Sequence, residues 1–431
     1  FYSLKDEQTL SFIPTNDSTS RENYTEEVAD GVRLLKIGCL YGSNASGKTN
    51  ILKALDFFAR FMVKDSLNKG DETYVVPFLL DDVSAKEKTE FEMTFYQNRE
   101  RYKLNLVLNN KVIYSEVLQV YSSAQPTMLY KRSYNAETDS TDIVFGGKIG
   151  LLKKSRETIL GNTINNRTVI AAFGLSNVEK SRLNLVYDFF LQGIAHLMYP
   201  QSDLMGFTKS RLKRDGDGRL KKFILHFLKA SDFNISDISV HEEDMAITPT
   251  LEVMIKSTPG MSEVTKMEIL KKGVITSEEM FFMHHTEYGE KELDESLESR
   301  GTKRYMGLAT ILYDLLAHGV ILPIDEIETS IHYEVLSYFI KVFLVNSKKG
   351  AQLIISTHDI NLLDEDYIRR DVIWFTDKND CGETKLIRLS SLGLHKTLSV
   401  YNAYKQEKLV DLPFLDSIYM DMEEYYGNEE E

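Results

Sequence analysis

Tyr41-Gly42-Ser43-Asn44-Ala45-Ser46-Gly47-Lys48-Thr49-Asn50 fits G-x-x-x-x-G-K-[ST], a spacing used to cradle phosphates. The flanks fit as well. Leu34 to Leu40 is apolar enough for a buried strand, and from Thr49 to Met62 apolar residues recur at Ile51, Leu52, Leu55, Phe58 and Met62. Strand, glycine loop and helix in that order are the setting the motif requires, and they argue against a chance match. The loop's backbone N–H groups and the helix N-terminus offer partial positive charge to a phosphate. Gly42, Ser43, Asn44, Ala45, Ser46, Gly47, Lys48, Thr49 and Asn50 are therefore the expected nucleotide-binding residues. Lys48 is expected to reach the β and γ phosphates, and the Thr49 hydroxyl to bind Mg²⁺.

The other 421 of the 431 residues must say which chemistry uses this loop. Hydrophobic content of 42% and charged content of 27% describe an ordinary globular chain with room for a large core and more than one lobe. A net charge of -14 disfavours binding nucleic acid through bulk charge. Two cysteines, Cys39 and Cys381, are too few for a disulfide framework, which points to a reducing, cytoplasmic compartment. Cys39 reads as a small buried hydrophobe. No apolar run is long enough for a bilayer, so no membrane partner is expected. The chain begins at Phe1 and not at Met, so native residues are expected to precede it.

Along the chain, Thr9 to Ile13 reads as a short strand. Glu90 to Tyr96, Tyr102 to Leu108 and Lys111 to Tyr121 read as antiparallel strands, with turns at Gln97-Asn98-Arg99-Glu100 and Asn109-Asn110. From Leu151 to Ala230 the pattern turns helical, with apolar spacing of three and four over Leu183 to Met198 and Leu220 to Leu228. Within it Lys209 to Lys222 is strongly basic: a nucleic-acid or partner contact, or a solvated turn around Gly216 and Gly218, the second being commoner. Ile235 to Met283 returns to β character, and Glu287 to Glu298 reads as a polar loop. From Lys303 onward helix and strand alternate, the pattern of a mainly parallel sheet with flanking helices. Glu423 to Glu431 reads as a frayed acidic tail.

Three further signals lie in this last part. Ile321-Leu322-Pro323-Ile324-Asp325-Glu326 is an apolar strand ending in two carboxylates. Asp325 is placed to hold Mg²⁺, and Glu326 is the natural general base for an attacking water. Ser299-Arg300-Gly301-Thr302 precedes the helix Lys303 to His318 and offers a hydroxyl and N–H groups suited to a γ-phosphate; an ordinary serine helix cap is the plainer reading. His358 lies just past the next strand, Gln352 to Ser356, where it can reach a γ-phosphate and the attacking water.

Together these motifs resemble the ABC-type ATPase superfamily, and more closely its soluble branch of SMC-like, OLD-family and RloA-like proteins, the last from bacterial restriction and abortive-infection loci. Phe1-Tyr2-Ser3-Leu4-Lys5-Asp6-Glu7 resembles the branch's opening segment, and Asn44 and Asn50 are branch-specific additions to the phosphate loop. Ser299 to Thr302 resembles the S-x-G-T signature, and Asp325 to His332 the catalytic pair with its D-loop. Gln97, Gln119 and Gln125 all suit a Q-loop glutamine by position, and none is assigned.

The resemblance implies an α/β fold: an ABC-ATPase head with an antiparallel β lobe, a mainly parallel P-loop core sheet and an inserted helical lobe. The expected segments are 1–150, 151–234 and 235–431. It implies ATP and Mg²⁺ as cofactors, with Thr49 and Asp325 as metal residues and Lys48, Glu326 and His358 as catalytic ones. It implies a head-to-tail ATP sandwich of two copies, open to higher homo-oligomers, in which Ser299, Arg300, Gly301 and Thr302 act in trans. The stretch after His358 is too short for the nuclease domain of OLD-type chains. A separate effector, a nuclease or other toxin used in bacterial antiviral defence, is thus implied. The alternative is an SMC-like DNA-repair or DNA-maintenance ATPase, for which the basic run is the main support; on the first reading nucleic acid is not required.

Overall fold

The computed structural model describes residues 1–258, 261–395 and 398–409, apart from the side chains of Glu243 and Ser277. The tail Glu423 to Glu431 lies outside the described residues. The chain divides into two compact units: Phe1–Leu197 with Pro323–Asp325 and Leu353–Glu431, and Met198–Leu322 with Glu326–Gln352. These units are drawn differently from the segments 1–150, 151–234 and 235–431. The helical stretch in particular is shared out between them, because helices at 153–192 cluster with the first unit and those from 204 onward with the second.

The first unit is organised on a five-stranded sheet in the order Ile321–Ile324, Gln352–Ser356, Ile37–Tyr41, Ile373–Lys378 and Thr384–Arg388. The strand Ile37–Tyr41 runs parallel to both its neighbours, and Ile373–Lys378 forms an antiparallel hairpin with Thr384–Arg388. All five residues of Ile37–Tyr41 are buried, as a central parallel strand covered on both faces requires. Burial pushes the Cys39 thiol up to about 12, so it packs as a hydrophobe and not as a nucleophile.

A second sheet of five strands is antiparallel throughout: Thr89–Gln97, Glu100–Leu108, Ile113–Tyr121, Thr127–Asn135 and Ser140–Phe145. Its first hairpin turns on Asn98 and Arg99, both at positive φ (51° and 62°), the two-residue geometry that matches strand twist. Phe91 and Phe95 alternate with exposed Glu90, Glu92 and Thr94 along its first strand. The helix Lys48–Met62 lays Phe58 on Phe91 at 5.5 Å and on Phe190 at 5.7 Å. Burying each such aromatic contributes about 1.5–3 kcal/mol. The helix's far end is held by Thr168, whose Oγ1 donates to the Met62 carbonyl at 2.9 Å.

The fold is therefore α/β, with the parallel core and the antiparallel lobe that the sequence leads one to expect. Thr9 to Ile13 is not a strand: Phe12 accepts one hydrogen bond from Leu35 N at 2.7 Å, and no ladder forms. The strand expected over Leu34 to Leu40 is two, Val32–Leu35 paired with Thr25–Ala29, then Ile37–Tyr41.

In the second unit the stretch Ile235 to Met283 is not all β. Strands Ile235–Ala246 and Val274–Thr286 pair, but between them lie helices Pro249–Ser257 and Glu263–Lys272. Thr248 and Ser262 cap these helices, and Gly273 ends the second in the left-handed region. Gly289–Asp294, within the expected polar loop, adds a third strand.

Candidate nucleotide site

The phosphate loop joins the buried strand Ile37–Tyr41 to the helix Lys48–Met62. Gly47 is the helix N-cap at φ 107°, and no side chain caps that terminus. Ala45 also lies at positive φ, 61°, so the loop is wound tightly enough to bring successive peptides onto one concave face. Gly42, Ser46, Gly47 and Lys48 are buried, Ser43 is half-buried, and Asn44 and Ala45 are exposed. The Lys48 ammonium donates to the Gly42 carbonyl at 2.9 Å and the Ser43 carbonyl at 3.0 Å, which keeps the cation at the loop. Asn50 is turned the other way, its amide donating to Ser3 Oγ at 2.7 Å.

Asp325 ends the strand Ile321–Ile324 and is buried at 4% exposure. Thr49 Oγ1 donates to its Oδ2 at 2.8 Å, and Ser356 Oγ donates to its Oδ1. Residues 276 positions apart thus bring a hydroxyl and a carboxylate together beside the phosphate loop. This donor set suits Mg²⁺, which takes one or two carboxylates and completes its octahedron with water and substrate phosphates. It does not suit a metal held by the protein alone: among the described residues no group of three or more His, Cys, Asp or Glu could hold an ion. Ser356 carried no signal in the sequence, since a serine closing an apolar strand is ordinary.

Glu326 is half-buried and holds φ 45°, in the left-handed region. A non-glycine residue there costs roughly 1–3 kcal/mol, and such residues cluster at functional sites. Ser330, four residues on, is also left-handed at φ 64°. His358 is exposed just beyond the strand Gln352–Ser356, where the Thr357 N–H donates to the Leu40 carbonyl at 3.0 Å.

In the second unit Ser299 caps the helix Arg300–His318, its Oγ accepting from Thr302 N at 3.0 Å. The plainer reading of Ser299 is thus realised within one chain. Ser299 and Arg300 are exposed, so this helix terminus faces outward from its own unit. Gly301 packs so closely that a Cβ there would lie 2.8 Å from the Ser330 carbonyl oxygen. Glu298, directly before the cap, pairs with His284 of the strand Val274–Thr286. The segment is therefore pinned from two sides.

The basic run ends the helix Leu204–Lys213 and begins the helix Arg219–Ala230. Most of its charges are met within its own unit. Lys209 pairs with Glu295 at 2.8 Å, Lys213 with Glu278 at 3.2 Å and Lys221 with Asp237 at 2.7 Å. Arg211 Nε donates to Asp314 at 2.9 Å, and Arg219 pairs with Asp217 at 2.9 Å. A stripe already paired with carboxylates is a poor phosphate track. No helix among the described residues is long and apolar enough to cross a membrane.

No curated protein matches the chain. Among solved structures it is similar to the SMC head domain from Thermotoga maritima, with 12% identity, TM-score 0.35, and coverage of 85% of this chain and 97% of that one. It is similar to an SmcHead bound to the C-winged helix domain of ScpA, with 14% identity, TM-score 0.33, and coverage of 87% and 94%. It is also similar to an Smc head domain with an extended coiled coil bound to the C-terminal domain of ScpA from Pyrococcus furiosus, with 11% identity, TM-score 0.34, and coverage of 88% and 94%. A family described as "AAA domain, putative AbiEii toxin, Type IV TA system" matches residues 37–364, well over half of the chain. Its description says AAA; the helix Arg300–His318 running straight into the strand Ile321–Ile324 keeps the element order that the ABC-type resemblance implies. The match begins at the strand before the phosphate loop and ends beyond His358, and across that span the chain belongs to this ATPase family.

Proposed function

We propose that the protein binds and hydrolyses ATP with Mg²⁺, and that ATP joins two copies into a closed dimer which controls a separate toxic effector. The observation that carries the first part is the Thr49–Asp325 contact at 2.8 Å beside the Lys48-bearing loop. On this reading Lys48 and the loop N–H groups hold the phosphates, and Thr49 and Asp325 hold the ion, which supplies charge neutralisation when bound. Glu326 takes a proton from the attacking water, and His358 orients that water and the γ-phosphate.

The outward-facing terminus at Ser299 and Arg300 supports action in trans. A second phosphate loop meeting that terminus makes the γ-phosphate the group both copies hold, so binding favours closure and hydrolysis releases it. The family's description, which names a toxin and a TA system, supports coupling to a toxic activity; its use in antiviral defence rests on the resemblance to abortive-infection ATPases. The effector is read as a separate nuclease or other toxin. The paired basic run gives the DNA-maintenance alternative no comparable support.

Two inactive variants test the composite site. Lys48→Ala should lose ATP binding, and Ser299→Arg should bind ATP yet neither dimerise nor hydrolyse it. Mixed in equal amounts, they should recover up to about half of wild-type turnover, since only mixed pairs can close and each holds one intact site of two. Full activity of Ser299→Arg alone, or no recovery on mixing, would sink action in trans. ATP binding by Lys48→Ala at wild-type strength would remove the loop from the reading.

A further inference from the structure

Both glycines of the phosphate loop are pressed by the same edge hairpin. A Cβ on Gly42 would lie 2.5 Å from the Thr376 carbonyl oxygen, and one on Gly47 2.6 Å from Thr384 Cγ2. Thr376 and Thr384 belong to Ile373–Lys378 and Thr384–Arg388, more than 320 residues beyond the loop. Both are 1% exposed, as is Ser46, and Ser3 is 5% exposed.

The hydroxyls form two chains that end on loop carbonyls. Thr384 Oγ1 donates to the Ser46 carbonyl at 2.9 Å. Its one proton is thereby used, so in the 2.7 Å contact with Ser3 it is Ser3 that donates. Ser3 in turn accepts from Asn50 at 2.7 Å. In the same way Thr376 Oγ1 donates to the Tyr41 carbonyl at 3.2 Å, so Ser46 Oγ donates to Thr376 at 2.6 Å. The donor at each contact is thus settled, and both chains have a fixed direction.

Such a network acts on the loop through peptide geometry. In a planar trans peptide the C=O of one residue and the N–H of the next point opposite ways. Holding the Ser46 carbonyl toward Thr384 aims the Gly47 N–H away from the hairpin, and holding the Tyr41 carbonyl toward Thr376 does the same for the Gly42 N–H. Lys48 sets the Ser43 and Asn44 N–H groups likewise through the Gly42 and Ser43 carbonyls.

We propose that Thr384 and Thr376 are positioning residues of the phosphate loop, fixing by way of its carbonyls the direction in which its N–H donors face a nucleotide phosphate. The inference rests on the reading of the loop as an ATP site. Ser3 and Asn50 extend the Thr384 chain to the N-terminal segment and to the first turn of the helix.

The test uses Thr384→Val, which keeps the shape and removes the hydroxyl, and Thr384→Ser, which restores it. Calorimetric titration with ATP and Mg²⁺ should show affinity about tenfold weaker in the valine variant, the loss of one net hydrogen bond to a buried carbonyl. Amide hydrogen exchange over residues 42–49 should be faster in the valine variant without any nucleotide, and the serine variant should return both readouts to wild type. A change in thermal midpoint alone, with affinity and loop exchange unchanged, overturns the proposal. Should Thr384→Val not fold, Thr376→Val and Thr376→Ser carry the same comparison through the second chain. Should the wild type bind no ATP, the nucleotide reading falls, while loop exchange still decides whether the threonines position the loop.

Discussion

Glu326→Gln should bind ATP as the wild type does and hydrolyse it about 10²–10⁴-fold more slowly, the range a positioned general base contributes. Glutamine matches glutamate in shape but accepts no proton from water. The position holds φ 45°, and the substitution leaves that backbone cost almost unchanged, so the fold should survive it. With hydrolysis slowed, the γ-phosphate persists, and on the proposed switch the closed dimer accumulates. Light scattering with and without ATP and Mg²⁺ should show a dimer that outlasts the wild-type one. Unchanged turnover would remove Glu326 as the base. Slow turnover with no dimer would keep the base and remove the switch.

Gly47→Ala should abolish measurable ATP binding and lower stability. Gly47 combines φ 107° with contact against a buried threonine, and a Cβ there would lie 2.6 Å from Thr384 Cγ2 and 2.9 Å from its Cβ. The left-handed backbone costs an alanine roughly 1–2 kcal/mol. The overlap adds about 1–3 kcal/mol of overpacking, because Thr384 sits at 1% exposure with no room to retreat. Relief can come only by moving the loop, which also moves the N–H groups off their phosphate geometry. Thermal melting and ATP titration check the two effects together. A Gly47→Ala protein that melts and binds like the wild type would show that the hairpin does not confine the loop.

The loop was legible in the sequence because its chemistry is local: two glycines, a lysine and a threonine at fixed spacing need no other segment to be recognised. Asp325 and Glu326 were legible for a similar reason, as carboxylates closing an apolar strand. Ser356, Thr376 and Thr384 were not. Each is a small hydroxyl residue in or beside a β-strand, and only the sheet order brings it to the loop. Thr9 to Ile13 alternates as a strand does, yet without a ladder partner alternation has nothing to pair with. The helices Pro249–Ser257 and Glu263–Lys272 hid because Val253, Met254, Val264 and Met267 are exposed apolar residues, which blur the contrast that marks an amphipathic helix. Thr248 with Pro249, and Gly273 at the far end, were the cap signals that could have revealed them.

The strand Ile37–Tyr41 has a consequence for how the protein is made. Both its neighbours in the sheet, Gln352–Ser356 and Ile373–Lys378, are synthesised more than 300 residues later. The ribosome therefore adds more than 300 residues while the strand that carries the phosphate loop still has neither partner. Contacts so distant along the chain close late and slowly. A product cut short before residue 373 would lack the strand on one side of Ile37–Tyr41, and with it the hairpin that presses both glycines of the loop.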